Sequence, residues 1–122
     1  MTIEWHPITD FYYFDSNHRC RHRKDPPRQW IRLNCVYKIR VDNKIIHVGR
    51  SDTCKKHGPA EKVRKAIVQL LGLEMYNPSV AKTKHWQQLR LQHRPNSSNI
   101  QIGVIETPNV ARIYAQENQR TH

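Results

Sequence analysis

The sequence predicts a small α/β domain over residues 31–122, with elements in the order strand, strand, helix, helix, strand, helix. Two patterns indicate this class. Residues 31–41 and 100–106 alternate apolar and polar side chains with the period of two that is typical of a strand. Residues 63–71 instead carry apolar side chains at the spacing of one helix face. A chain of 122 residues has the length of one domain, and residues 1–30 are expected to form its basic N-terminal extension.

The N-terminal extension combines an aromatic cluster at residues 11–14 with a basic run. Residues 18–32, "HRCRHRKDPPRQWIR", contain six Arg and Lys against Asp25 alone, and Pro26-Pro27 interrupts regular structure there. Two interpretations stay open for this run, a solvated loop or an arm that contacts phosphates. The aromatic side chains are expected to anchor such an arm rather than stack on bases. The candidates for phosphate contact are Arg19, Arg21, Arg23, Lys24 and Arg28.

The stretch "CVYKIRVDNKIIHVGRS" at residues 35–51 predicts a β-hairpin. Its first strand continues the alternation that starts at Ile31, and residues 45–48 form the core of its second strand. The pair Asp42-Asn43 between them tolerates a tight turn. The hairpin therefore places Tyr37 on one strand and His47 on the next.

Two helices, a strand and a last helix are predicted after the hairpin. Pro59 suits the first turn of the first helix, and Gly72 can end it. A second, basic helix is expected to follow a cap at Ser79 and to run to about residue 93. Residues 100–106 predict the third strand, and Thr107-Pro108 opens the last helix as N-cap and first-turn proline.

The charge of the chain favours a polyanionic partner. Twenty-one Lys and Arg against ten Asp and Glu give a formal net charge of +11 at pH 7. Nucleic acid is preferred over a membrane surface because no amphipathic basic helix dominates the chain, and the charge does not distinguish DNA from RNA. No apolar run approaches the ~20 residues that span a bilayer, and three cysteines suit a reducing compartment. An intracellular, nucleoid-associated protein is therefore expected.

Two triplets on the predicted hairpin carry a resemblance to a known family. They are Cys35-Val36-Tyr37 and His47-Val48-Gly49, with a spacing of ten from Tyr37 to His47. The triplets and the order of elements resemble the GIY-YIG nuclease superfamily, over residues 33 to about 119. The resemblance implies a small three-stranded antiparallel sheet flanked by helices, and hydrolysis of DNA phosphodiesters with Mg²⁺ or Mn²⁺. Cys35 stands where the family has glycine, and His47 where it has its second tyrosine.

The resemblance also implies roles for particular residues. Tyr37 would lie at or near the general base that activates water, and His47 would contact that water or the phosphate. Arg64, on the first helix after the hairpin, would contact phosphate. Lys55, Lys56 and His57 in the preceding loop are alternatives to Arg64.

Glu117 is the candidate metal ligand that the resemblance places on the last helix. It falls on the same helical face as the apolar Val110 and Ile113, and an acid on such a face needs a partner, which a divalent cation would supply. Glu106 is the alternative acid. A zinc site is less favoured, because the chain has no CxxC pair. Its candidate ligands would be His18, Cys20, His22, Cys54 and His57.

Two hypotheses of different classes follow. The first is a small metal-dependent endonuclease that uses Tyr37, His47, Arg64 and Glu117, and that nicks DNA or cuts both strands as a homodimer. The alternative is a non-catalytic nucleic-acid-binding module on the same scaffold, motivated by the replacement of tyrosine at His47. In either case further nucleic-acid contacts are expected from Arg50, Lys55, Lys56, Lys82, Lys84 and Arg90.

Overall fold

The computed structural model describes residues 3–24, 34–51, 58–73 and 80–121. It confirms a mixed α/β domain with antiparallel sheets and three helices in these ranges. No helix in the described ranges is long and apolar enough to cross a bilayer. In chain order the elements are β1 (Trp5–Pro7), a 3-10 turn (Ile8–Asp10), β2 (Tyr12–Phe14), β3 (Cys20–His22), β4 (Cys35–Val41), β5 (Lys44–Ser51), α1 (Gly58–Leu71), α2 (Val80–His93), β6 (Ile100–Glu106) and α3 (Val110–Thr121).

The main sheet has four strands in the order β1-β6-β4-β5, and every neighbouring pair is antiparallel. The expectation of a three-stranded sheet is therefore wrong by one strand. The additional strand, β1, comes from the N-terminal extension and places Trp5 opposite Gly103 on β6. A strand of three residues is too short to produce a period-two pattern, and Pro7 suits its position at a sheet edge.

The β4-β5 hairpin forms where the sequence predicts it. Asp42 and Asn43 adopt φ angles of 49° and 68°, and these left-handed conformations match the right-handed twist of the two strands. The register pairs Tyr37 with Gly49 and Ile39 with His47, and a bulge follows Ile39. The turn therefore fixes which side chains of β5 lie beside Tyr37. Residues 31–33 and Ser79, which the predicted strand and helix cap include, lie outside the described residues.

Both faces of the main sheet are covered. Side chains alternate along β4, so Tyr37, Ile39 and Val41 point to one face, called here the first face, and Val36 and Lys38 point to the second face. The first face packs against α1, α2 and the N-terminal residues, and the second face packs against α3. Residues on alternating positions of β4 consequently belong to two separate clusters.

Residues 3–24 contribute to the core on the first face. Ile8, Phe11, Tyr12 and Cys20 are buried there with the apolar stripe of α1. The Tyr12 hydroxyl donates a hydrogen bond of 2.6 Å to the backbone carbonyl of Ala60 in the first turn of α1. The small β2-β3 hairpin is thereby held against α1, and its basic strand β3 is placed at the surface.

Candidate functional site

A cleft of about 430 Å³ opens on the first face, beside the β4-β5 hairpin. Four elements form it: β4, β5, α1 and α2. Among the described residues its lining contains two lysines, two histidines and no carboxylate. The lining residues are Tyr37, His47, Lys62, Lys65, Ala66, Gln69, His85 and Trp86.

The floor of the cleft is fixed by the hairpin register. The ring of Tyr37 lies so close over Gly49 that a Cβ atom at that position would overlap the phenol. Gly49 therefore provides the space in which Tyr37 lies, beside the imidazole of His47 at a centroid distance of 6.0 Å. The imidazole also contacts the indole of Trp86 on α2 at 5.1 Å. The structure thus places Tyr37 and His47, two of the predicted site residues, side by side in this cleft.

Burial sets the ionisation of the floor. It lowers the pKa of His47 to about 4, and the nearby His85 adds to this effect, so the imidazole is neutral at physiological pH. Burial also raises the pKa of the Tyr37 phenol, with smaller contributions from Cys35 and Tyr114. Tyr37 and His47 therefore offer hydrogen bonds without charge.

The rim of the cleft supplies the charge. Lys62 and Lys65 are exposed on α1, and Lys62 Nζ donates a hydrogen bond of 3.1 Å to the carbonyl of Arg50. The buried Gln69 Oε1 has no hydrogen-bond partner among the described residues, although it lines the cleft. The cleft thus combines cations at its rim with neutral hydrogen-bonding groups at its floor and is suited to an anion that also forms hydrogen bonds.

Arg64 lies in a different place from the one that its predicted role requires. Its guanidinium donates to Glu61 at 3.1 Å and to the carbonyl of Cys20 at 3.1 Å, and Glu61 also contacts His22 at 2.7 Å. Burial alone would raise the pKa of Glu61, but the hydrogen bonds from Arg64 and His22 outweigh it and hold that pKa below its usual value. Arg64 thus links β3 to α1. It lines a separate cleft of about 640 Å³.

Glu117 lies on the opposite side of the sheet from Tyr37. It belongs to α3 and is buried against the second face of the sheet, where its carboxylate pairs with Lys38 Nζ. Because Lys38 and Tyr37 are consecutive on β4, their side chains point to opposite faces. Of the four residues expected in one catalytic centre, the structure brings Tyr37 and His47 together and leaves Arg64 and Glu117 elsewhere.

The described residues do not fit the divalent cation that the family resemblance implies. The Glu117 carboxylate has an ammonium partner, and no group of three or more His, Cys, Asp or Glu side chains converges within the described part of the chain. Glu106 is exposed at the end of β6. The zinc alternative gains no support in the described ranges either, since Cys20 is buried and His22 contacts Glu61. Cys54 and His57 lie outside those ranges.

The other predicted nucleic-acid contacts are distributed over the surface. Arg21 pairs with Asp15 at 3.1 Å, and Arg23 donates to the carbonyl of Thr9 at 2.6 Å. The guanidinium of Arg50 lies 5.2 Å from the ring centre of Tyr114. Arg19, Lys24 and Lys84 are exposed and Arg90 is half-buried, whereas Arg28, Lys55, Lys56 and the side chain of Lys82 lie outside the described residues.

Sequence reasoning missed most of the cleft wall. Lys62, Lys65 and Gln69 are three and four residues apart on α1, and this spacing places them on one helix face beside the apolar stripe. This spacing could have indicated from the sequence that the three side chains form one wall. Nothing local in the sequence indicates that His85 and Trp86 approach the hairpin, because their position depends on how α2 packs. Comparison of the chain with protein-family models, curated proteins and solved structures finds no match in any of the three.

Proposed function

We propose that this protein binds nucleic acid and that the cleft holds one segment of the phosphate backbone. The observation that carries the proposal is a cleft with two lysines on its rim and no carboxylate among its described lining residues. Each lysine that neutralises a phosphate releases condensed counterions and adds affinity for any sequence. The net charge of +11 supports the same class of partner.

The cleft also suits the parts of a nucleotide that carry no charge. Neutral His47 and Tyr37 supply hydrogen bonds at the floor. The exposed imidazole of His85, which lies against the buried indole of Trp86, gives the wall an aromatic surface on which a base can pack without sequence preference. Single-stranded nucleic acid is the favoured ligand, because a duplex does not present its bases to such a wall.

A salt titration of binding tests this proposal. Fluorescence anisotropy would follow a labelled single-stranded oligonucleotide with the parent chain and with Lys62→Ala/Lys65→Ala. For single strands each lost phosphate contact lowers the log-log salt slope by about 0.7, so the double variant should lose about 1.4. The matched control is Lys44→Ala/Arg112→Ala, which removes the same charge from exposed positions on β5 and α3 that do not line the cleft. Equal slopes for the two double variants would show that the cleft is not the binding site.

A metal-dependent endonuclease is the second candidate. The observation that favours it is the placement of Tyr37, His47 and Gly49 together on the hairpin, as the GIY-YIG resemblance implies. Supercoiled plasmid incubated with Mg²⁺, Mn²⁺ or EDTA tests this candidate. Metal-dependent nicking that Tyr37→Phe abolishes would support it, and plasmid that is retarded but stays uncut in every buffer would rule against it.

A further inference from the structure

Two imidazoles share the cleft with the two lysines. His47 comes from β5 and His85 from α2, and both contact the indole of Trp86, at centroid distances of 5.1 Å and 5.6 Å. His47 is half-buried at the floor, whereas His85 is exposed at the wall. Such a pair offers one group that can take a proton and another that can give one, beside cations that hold a phosphate.

This set of groups matches one reaction of nucleic acids in particular. In RNA the nucleophile belongs to the substrate, since the 2′-oxygen can attack the neighbouring phosphorus. The bond from O2′ to phosphorus forms while the bond from phosphorus to O5′ breaks. The 2′-hydroxyl proton passes to one imidazole, and the other, as imidazolium, gives a proton to the leaving O5′. The products are a 2′,3′-cyclic phosphate and a free 5′-hydroxyl, and no further reactant enters the step.

We propose that the protein cleaves single-stranded RNA by this transphosphorylation, with His47 as the proton acceptor and His85 as the proton donor. Lys62 and Lys65 stabilise the charge that develops on the phosphoryl oxygens. The inference rests on the proposed function, because it requires RNA to bind in the cleft. It differs from the endonuclease hypothesis in its substrate, its products and the residues that act.

The surroundings of the two imidazoles favour this division of roles. Among the described residues, the titratable side chains lining the cleft around His47 are Tyr37 of β4, Lys62 and Lys65 of α1, and His85 of α2. Burial and the neighbouring His85 keep His47 unprotonated in the free protein, as an acceptor requires. A bound phosphate would raise the pKa of His47 toward neutrality, because a nearby anion favours the imidazolium. His85 is exposed, so this imidazole lies open to solvent at the wall of the cleft.

The test uses three labelled oligonucleotides of one sequence in excess EDTA: RNA, DNA, and RNA with 2′-O-methyl groups throughout. We expect all three to bind and only unmodified RNA to be cut, with 2′,3′-cyclic phosphate ends identified by mass spectrometry. At saturating protein, His85→Ala should slow cleavage of the bound RNA on the order of 10²–10⁴-fold. His47→Gln should do the same. His93→Ala, which alters a histidine on α2 outside the cleft, should cut as fast as the parent.

The outcomes separate this inference from the proposed function. RNA that binds in the cleft but stays intact would overturn the inference and leave the binding proposal standing. RNA that fails to bind while DNA binds in the cleft would overturn the inference alone, and failure of all three oligonucleotides to bind would overturn both. Cleavage that persists at the parent rate in His85→Ala would also overturn the inference. Because the variants are purified identically, such cleavage would point to a contaminating ribonuclease.

Discussion

The buried ion pair between Lys38 and Glu117 gives the sharpest prediction about this fold. The two side chains are only 7% and 11% exposed. Removing one partner deletes the Lys38–Glu117 contact while the other charge stays buried between the sheet and α3. We therefore predict that Lys38→Met and Glu117→Leu are each strongly destabilising, and that the double variant, which replaces the pair by two apolar side chains, is close to the parent in stability.

The magnitude follows from the burial of the pair. Breaking a buried ion pair costs about 3–5 kcal/mol, whereas replacing both partners by apolar groups of similar volume is near neutral or stabilising. A domain of this size has about 5–15 kcal/mol of total stability. Each single variant should therefore lose a large share of it, with a fall of the Tm by roughly 10–20 °C. The double-mutant cycle should show a coupling of several kcal/mol.

Urea unfolding at neutral pH, followed by circular dichroism, measures the cycle, with and without Mg²⁺. Single variants within about 1 kcal/mol of the parent would refute the reasoning, since breaking a buried ion pair costs more than that. A double variant that simply adds the two single losses would refute it as well. If Mg²⁺ stabilised the parent but not Glu117→Leu, the carboxylate would be a cation ligand rather than the partner of Lys38.

Three further predictions concern the cleft and its neighbour. The folded-state pKa of His47, about 4, lies below the ordinary value of 6.5. As the pH falls from 6.5 to 4, the unfolded chain takes up a proton before the folded chain does, and the free energy of unfolding therefore falls by about 3 kcal/mol. Urea midpoints measured across this pH range should show this loss of stability in the parent but not in His47→Gln. The same pH dependence in both proteins would contradict the prediction. Gly49→Ala should cost about 1–3 kcal/mol in thermal unfolding, because its Cβ would overlap Tyr37; a parent-like Tm would show that the ring can move away freely. The pKa of Glu61 lies below its usual 4.5, so its stabilising effect is present above that pH and lost as the pH falls through the lowered folded-state pKa. The stability gap between the parent and Glu61→Gln should therefore close in acid, and a gap that is independent of pH would argue against the Glu61–Arg64 contact.

The β4-β5 hairpin could be predicted because all of its determinants are local. The alternation of apolar side chains, the Asp42-Asn43 turn and the ten-residue spacing together fix the register that brings Tyr37 beside His47. β1 could not be predicted in this way, because three residues carry no period and the strand is stabilised by pairing with β6, about a hundred positions away. Short edge strands depend on the sheet that receives them more than on their own sequence.

The same distinction, between local and non-local determinants, separates the site residues that could be predicted from those that could not. The requirement that a buried Glu117 have a partner was a sound inference, but the identity of the partner is a non-local fact. Lys38 occupies the polar phase of an alternating strand, which usually indicates solvent; here α3 covers that face as well. For α1, the sequence marks a polar surface but cannot tell whether Arg64 or Lys62 lies toward the hairpin. The packing of β3 on one side of the helix decides this, by engaging Arg64.

The separation of the two faces makes the role of Glu117 testable apart from its effect on stability. In this structure Glu117 is buried on the second face, on the other side of the sheet from the cleft. A loss of activity in Glu117→Leu alone is therefore uninformative, since unfolding would produce it too. Lys38→Met/Glu117→Leu removes the carboxylate while retaining the fold, so it should bind, and cut if the parent cuts, at the parent level below its Tm. If the double variant is folded and binds nucleic acid but has lost a cleavage activity of the parent, Glu117 takes part in the chemistry, and the placement of the site on the first face alone is wrong.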